Sequence, residues 1–206
     1  MGIREQQRLR TVRAILEAAG LEFEIKGYES ASYGSIAARA GVAKSLVSYH
    51  FATKADIASR IVGEAFPGGT FLATHPSPGG PLADILESTA VVARAFSTNP
   101  LARAALRLVN ENKLSDPAAP RAYVGWVARL ADDLRLAAAQ GLVPIGLDTH
   151  REAQVLVGLF VGLRYVTDAL DGRDVFWELV VSSLRQRLIF LGADERELPT
   201  MSELAG

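Results

Sequence analysis

Apolar residues return every third or fourth position along nearly the whole chain, which is the spacing of amphipathic helices. Leu9, Val12, Ile15, Leu16, Ala19 and Phe23 make one stripe and predict a first helix over about residues 6–26. Gly27 follows it, where a left-handed cap would strain any residue with a Cβ. Ser32 is placed to N-cap a second helix that turns Ile36, Ala37 and Ala40 inward and stops at Gly41. A third helix is predicted over about residues 44–50, and Thr53 caps a fourth with Ile57, Ile61 and Val62 as its apolar face. Four prolines and four glycines then crowd residues 67–81 and predict a loop. Beyond it the pattern predicts five more helices, over about residues 82–97, 101–113, 119–140, 149–170 and 174–192. The polar residues after Gly192 are expected to fray. No strand pattern and no repeat compete with this reading. The fold class is all-α, with about nine helices.

The stretch Ala153–Val166 departs from simple amphipathicity, because it is apolar nearly all round. The next helix adds Phe176, Leu179, Val180, Leu184, Leu188 and Leu191. A helix that is apolar on every face must be covered on every face. Burial against a symmetry mate would do this, with Gly158 and Gly162 allowing close backbone approach, and a homodimer is therefore expected. The other reading is a central core helix.

Polar chemistry concentrates elsewhere. The short third helix carries Lys44, Ser45, Ser48, Tyr49 and His50 within a turn and a half, directly after the glycine turn at Gly41. Val42, Leu46 and Val47 are left to pack it onto the first two helices. Such an arrangement suits a helix-turn-helix presenting donors to DNA phosphates and base edges. Overall charge is uninformative, at 22 Lys+Arg against 23 Asp+Glu. Residues 1–64, however, hold nine basic and seven acidic side chains, with Arg4, Arg8, Arg10 and Arg13 forming a basic arm. There is no cysteine, which removes disulfides, thiolate metal sites and thiol nucleophiles. No apolar run is long enough to span a bilayer, and the start of the chain lacks a signal peptide's apolar core. The expected location is the cytoplasm, without membrane contact.

Four segments in order carry a family likeness: Ile15-Leu16-Glu17-Ala18-Ala19, Phe23 to Tyr28, Ile36-Ala37-Ala38-Arg39-Ala40-Gly41-Val42, and Tyr49-His50-Phe51-Ala52-Thr53-Lys54. With them the chain resembles the tetracycline-repressor (TetR) family over residues 8–62. The resemblance implies a three-helix DNA-binding head over residues 1–54 and a helical ligand-binding and dimerisation domain over residues 55–206. It implies that Ser32, Tyr49, His50 and Lys54 hold phosphates of double-stranded operator DNA, while Lys44, Ser45 and Ser48 lie nearest base edges. The chain departs from the family pattern at Ser48, where tyrosine is frequent, and at Ser35, where an acid is frequent, which would weaken the capping box. Further on, Ala102–Leu108, Trp126 and Val157–Arg164 resemble the receptors for γ-butyrolactones and related furan autoregulators that control antibiotic production. In that branch the tryptophan closes over the ligand.

The expected ligand region follows from these residues. Tyr123, Trp126, Val127, Leu130 and Leu134 line one stripe of a helix, a pattern that serves core or pocket alike. Phe160, Tyr165 and Thr167 are further candidates. Arg164 interrupts an apolar helix and needs a partner. That partner is either a ligand carboxylate, as in an alkyl furan carboxylic acid, or Asp168 one turn on, or the other subunit. Catalytic, cofactor and metal sites are not expected, since His50, His75 and His150 are scattered and Asp132 and Asp133 read as a solvated face. The function expected is a ligand-released repressor and not an enzyme. Its alternatives are a repressor sensing an unrelated hydrophobic ligand of an efflux or catabolic system, and a pseudo-receptor without a working pocket.

Overall fold

Local capping signals set most of the helix ends in the computed structural model, which describes residues 2–65, 77–111, 121–170 and 172–205. Helix α1 covers Ile3–Ser30, longer at both ends than its apolar stripe, and bends at Gly27. There the backbone takes φ 79° and ψ 167°, outside the helical region and unfavourable for a residue with a Cβ. A Cβ at that point would also lie 2.9 Å from an Arg107 guanidinium nitrogen. Helix α2 (Tyr33–Ala40) ends at Gly41, which is left-handed at φ 67° and donates its N–H to the carbonyls of Ala37 and Ala38. Helix α3 (Lys44–His50) follows within three residues, and α4 (Lys54–Ala65) follows that. Thr53 caps α4 reciprocally with Asp56, each side chain accepting the other's backbone N–H.

The remaining helices are α5 (Pro81–Thr98), α6 (Pro100–Asn110), α7 (Arg121–Ala139), α8 (Thr149–Ala169), α9 (Phe176–Phe190) and α10 (Met201–Ala205). That makes ten α-helices and no strand among the described residues. Pro81 opens α5 and Pro100 opens α6, each at a first-turn position where a missing N–H costs nothing. Most of the proline- and glycine-rich loop predicted over residues 67–81 lies outside the described residues. The expected fraying after Gly192 does not occur: Leu198 and Leu204 are buried, and Arg94 donates to the Leu204 carbonyl at 2.7 Å. Two apolar anchors suffice to dock a tail that looked polar in sequence.

The chain forms two compact units, one of residues 1–69 with 99–121 and the other of residues 70–98 with 122–206. In the first, α6 packs on α1 and α4, α2 packs on α1, and α3 packs on α2. Ile15, Leu16, Ala19, Phe23, Ile36, Val47, Ile57 and Ile61 fill its core. Ionic contacts tie α6 to the bend in α1, where Arg103 holds the Glu24 carboxylate at 2.7 Å and Arg107 donates to the Glu24 carbonyl at 2.5 Å. In the second unit α9 packs on α5 and α8, and α10 lies on α5 and α9.

Candidate nucleic-acid interface and ligand core

In the first unit the third helix divides sharply into two faces. Val47 is fully buried, Leu46 and Val42 are half-buried, and Lys44, Ser45, Ser48 and Tyr49 are exposed. Tyr49 is 79% exposed, a large amount for an aromatic ring, and its edge meets the His50 ring at a centroid distance of 5.1 Å. Ser48 Oγ donates back to the Ser45 carbonyl at 3.1 Å. The four exposed side chains thus form one polar surface on a helix whose other face is locked. Such a helix presents groups to a groove without having to reorganise.

What holds this helix in place was only partly legible beforehand. Ser32 is exposed, and its Oγ accepts the Ser35 N–H at 3.1 Å while Ser35 Oγ accepts the Ser32 N–H at 3.1 Å. The capping box expected to be weak is therefore complete, because serine reaches as an acid would. Tyr33 clamps the far end of α3 by donating to the Phe51 carbonyl at 2.9 Å. Lys54 is committed inward. Its ammonium donates to the carbonyls of Tyr28, Glu29 and Ala31 at 2.7, 3.2 and 2.9 Å, and it lies 4.4 Å above the Tyr28 ring. These carbonyls belong to the last turn of α1 and to its C-cap residue Ala31, so the lysine closes that helix end and ties it to the start of α4.

Glu22 is a second hidden tie. Its side chain is only 2% exposed, yet it accepts from Lys26 at 2.8 Å and from Arg39 at 2.7 Å. Bonding to Lys26, then to Ser35 and Arg39, outweighs burial and lowers its pKa from 4.5 to about 2. A depressed carboxyl pKa contributes stability that is fully present above pH 4.5 and is lost as pH falls toward 2. Glu22→Gln is expected to flatten this acid limb in thermal melts followed by circular dichroism between pH 5 and pH 2. At neutral pH it should cost about 1–2 kcal/mol through the lost charge-assisted bonds. An acid limb as steep as in the parent protein would count against the tie.

The basic arm from Arg4 to Arg13 is helical and partly neutralised. Arg8 pairs with Glu5 at 2.8 Å and Arg13 with Glu17 at 2.7 Å, both in solvent.

The second unit has an aromatic centre. Trp126 is 1% exposed and packs edge-on to Phe160 at 4.8 Å. Phe160 in turn meets Phe96 at 5.7 Å and Phe176 at 5.3 Å. Leu130 and Leu134 are fully buried on the same stripe of α7 as Trp126, and Tyr123 and Val127 are half-buried. Arg164 lies one turn from Phe160 on α8 and donates to Asp168 at 2.8 Å. Its Nε is buried without a hydrogen-bond partner among the described residues. Thr167 is buried, with its hydroxyl bonded to the Leu163 carbonyl at 2.9 Å. Tyr165 turns away from this centre and is 52% exposed. The structure therefore gathers Trp126, Leu130, Phe160 and Thr167 inside the unit and leaves Tyr165 outside.

Asp132 and Asp133 diverge. Asp132 is solvated and pairs with Arg135, as expected of a solvent face. Asp133 corrects that expectation: it is buried and receives Arg129 at 3.0 Å, while the same guanidinium binds the buried Asp84 of α5. Burial pushes the Asp133 carboxyl above its ordinary pKa against the pull of Arg129. The i,i+4 spacing of Arg129 and Asp133 was visible in the sequence, but the Asp84 partner lies 45 residues away. Among the described residues no cluster suits a metal ion, and no helix is long and apolar enough to cross a membrane.

Residues 11–61 match the family described as bacterial regulatory proteins, tetR family. The A-factor receptor protein of Streptomyces griseus is 31% identical over 170 residues, which is 82% of this chain and 59% of that protein. The chain thus spans less than two thirds of this relative's length. A structure solved as the molecular basis for control of antibiotic production by bacterial hormones is 28% identical, covers 93% of this chain and 98% of its own, and superposes with a TM-score of 0.67. A γ-butyrolactone receptor described as ArpA-like is 25% identical, covers 90% of this chain and 96% of its own, and gives a TM-score of 0.66.

Proposed function

Since the chain belongs to the tetR family of bacterial regulatory proteins, on the branch of the A-factor and ArpA-like receptors, we propose that it is a cytoplasmic transcriptional repressor released by a small signalling molecule. It binds operator DNA as a homodimer. The signal is of the γ-butyrolactone or alkyl furan carboxylic acid type, and the genes controlled serve antibiotic production. The observation that carries this reading is the likeness to the A-factor receptor, because its 170 residues exceed either compact unit and so reach both.

Residues 1–54 supply DNA contact and residues 55–206 supply ligand binding and pairing. Lys44, Ser45 and Ser48 read base edges from the exposed face of α3. Tyr49, His50 and Ser32 hold phosphates that fix register. Lys54 serves the same interface indirectly, by fixing the corner from which α3 projects. Trp126, Tyr123, Leu130, Phe160, Arg164 and Thr167 surround the ligand. Release requires differential affinity: the ligand must favour a conformation in which the two copies of α3 no longer match major grooves about 34 Å apart. Helix α6 is suited to pass on that change, because it packs on α1 and α4 and is continuous in chain with α5.

Fluorescence anisotropy on duplexes from the protein's own upstream region tests the reading. Tight binding that is reversed by low micromolar lactone or furan acid is expected. Tight binding that neither class reverses would remove the ligand assignment, and absence of binding to any such duplex would remove the operator assignment.

A further inference from the structure

One buried hydroxyl in the second unit behaves unlike the others. Ser88, Ser97, Thr98 and Thr167 each donate to the carbonyl one turn back, at 2.5, 3.1, 2.9 and 2.9 Å. This is the ordinary resort of a helical serine or threonine. Thr89, in the middle of α5, is 0% exposed, yet its Oγ1 has no hydrogen-bond partner among the described residues. Leaving a hydroxyl desolvated and unbonded costs free energy that the neighbouring carbonyl would have offset. The Thr89 hydroxyl thus keeps its bonding capacity unused among the described residues.

Its place on α5 shows what flanks it. Thr89, Ala93 and Phe96 follow one another at helical spacings of four and three, so they share a face. Phe96 belongs to the aromatic group around Phe160, which Trp126 of α7 completes. Five residues before Thr89, Asp84 takes the guanidinium of Arg129, which is one turn along α7 from Trp126. The length of α5 that holds Thr89 thus runs from a buried ionic group, where Arg129 of α7 meets Asp84, to an aromatic group, where Phe96 meets Phe160 of α8. A mostly apolar site with one placed polar group is the usual make-up of a small-molecule pocket.

The charges select the ligand. Arg129 is shared by two buried carboxylates, and Arg164 is engaged by Asp168. Each guanidinium is already charge-paired, although Arg164 keeps an unbonded Nε–H, so a carboxylate entering here would displace Asp84, Asp133 or Asp168 or add a negative charge with no cation left to balance it. A hydroxyl, by contrast, can donate to a carbonyl or accept from an alcohol.

We propose that Thr89 Oγ1 is the polar anchor of the inducer, bonding a neutral carbonyl or hydroxyl of a lactone-type ligand whose hydrocarbon part lies against Trp126, Phe160, Phe96 and Phe176. This rests on the repressor reading above and chooses the neutral lactone over the furan acid. No described residue bonds the hydroxyl, so Thr89→Val keeps the shape and should fold at least as well as the parent.

The test is release of operator DNA from the full-length protein, its Thr89→Val and its Thr89→Ser variants, titrated with a hydroxyalkyl γ-butyrolactone and an alkyl furan carboxylic acid. The parent should respond to the lactone at lower concentration than to the acid. Thr89→Val should raise the lactone concentration needed by about tenfold, the loss expected of one buried hydrogen bond. Thr89→Ser should stay within about twofold of the parent, and operator affinity without ligand should not change in either variant. An unchanged lactone response in Thr89→Val overturns the anchor, and a parent released better by the acid overturns the neutral ligand. Should neither compound release the parent, the ligand reading of the previous section falls and takes the anchor with it. If Thr89→Val melts early, the result itself contradicts an unbonded hydroxyl, and Thr89→Ser still reports on the ligand.

Discussion

Gly162→Glu is expected to convert the proposed homodimer into monomers and to weaken operator binding by about a hundredfold or more, since a monomer forfeits the second half-site. Gly158 and Gly162 are exposed on α8, and a Cβ at either would meet nothing within 4 Å. Around them the same helix exposes Val155, Tyr165 and Val166, and its C-cap residue Leu170 is 75% exposed. An apolar strip with a small-residue floor suits a helix of a second copy at close range. In a two-fold interface one substitution appears twice, so two glutamates would be desolvated near each other. The monomer should not suffer, because glutamate favours a helix over glycine by about 0.5 kcal/mol or more. Light scattering after gel filtration reads the mass, and a melt by circular dichroism reads the fold. A variant that remains dimeric would place the interface elsewhere.

Lys54→Met is expected to destabilise the first unit by about 2–3 kcal/mol. The methionine retains the apolar stem but removes all three bonds to the carbonyls of Tyr28, Glu29 and Ala31, leaving the end of α1 open. Operator affinity should fall with it, because the corner that orients α3 loosens, yet the dependence of affinity on salt should keep its slope. A residue that meets phosphate behaves in the opposite way. Lys44→Ala should leave the melting curve in place and reduce the salt slope by about one. Measuring both variants across 50–300 mM salt separates the two roles. A Lys54→Met protein with an unchanged melt and a shallower slope would return this lysine to the phosphate contacts.

These two cases mark how far the residues could be read by themselves. Lys54 stands in a position where the family resemblance implies a phosphate contact, and its charge agrees. The carbonyls that claim it belong to residues 23 to 26 positions earlier. Nothing local announces such a partner. The polar face of α3 was legible because it depends on spacing within one short helix, with Val47 in and Lys44, Ser45, Ser48 and Tyr49 out. Trp126 and Phe160 were legible as apolar residues on helices, but their edge-to-face contact was not. Thr89 was missed altogether. A threonine in a helix carries no signal until its burial and its neighbours' hydrogen bonds are known.

Glu22 and Asp133 make the same point through charge. Each looks like a residue for solvent, and each lies buried because cations converge on it: Lys26 and Arg39 on the first, Arg129 on the second. The sequence by itself determined the helical class, the order of the helices and the left-handed turn at Gly41, whereas Gly27, expected as a left-handed cap, bends α1 without ending it. Caps and apolar stripes act within about four residues, and such short-range interactions are written consecutively along the chain. Only the tertiary structure decided which charges leave water, which hydroxyl forgoes its carbonyl and which lysine ties a corner. Those outcomes turn on desolvation and on partners 17 to 45 residues away, and a burial cost has a sign only once the partner's position is fixed.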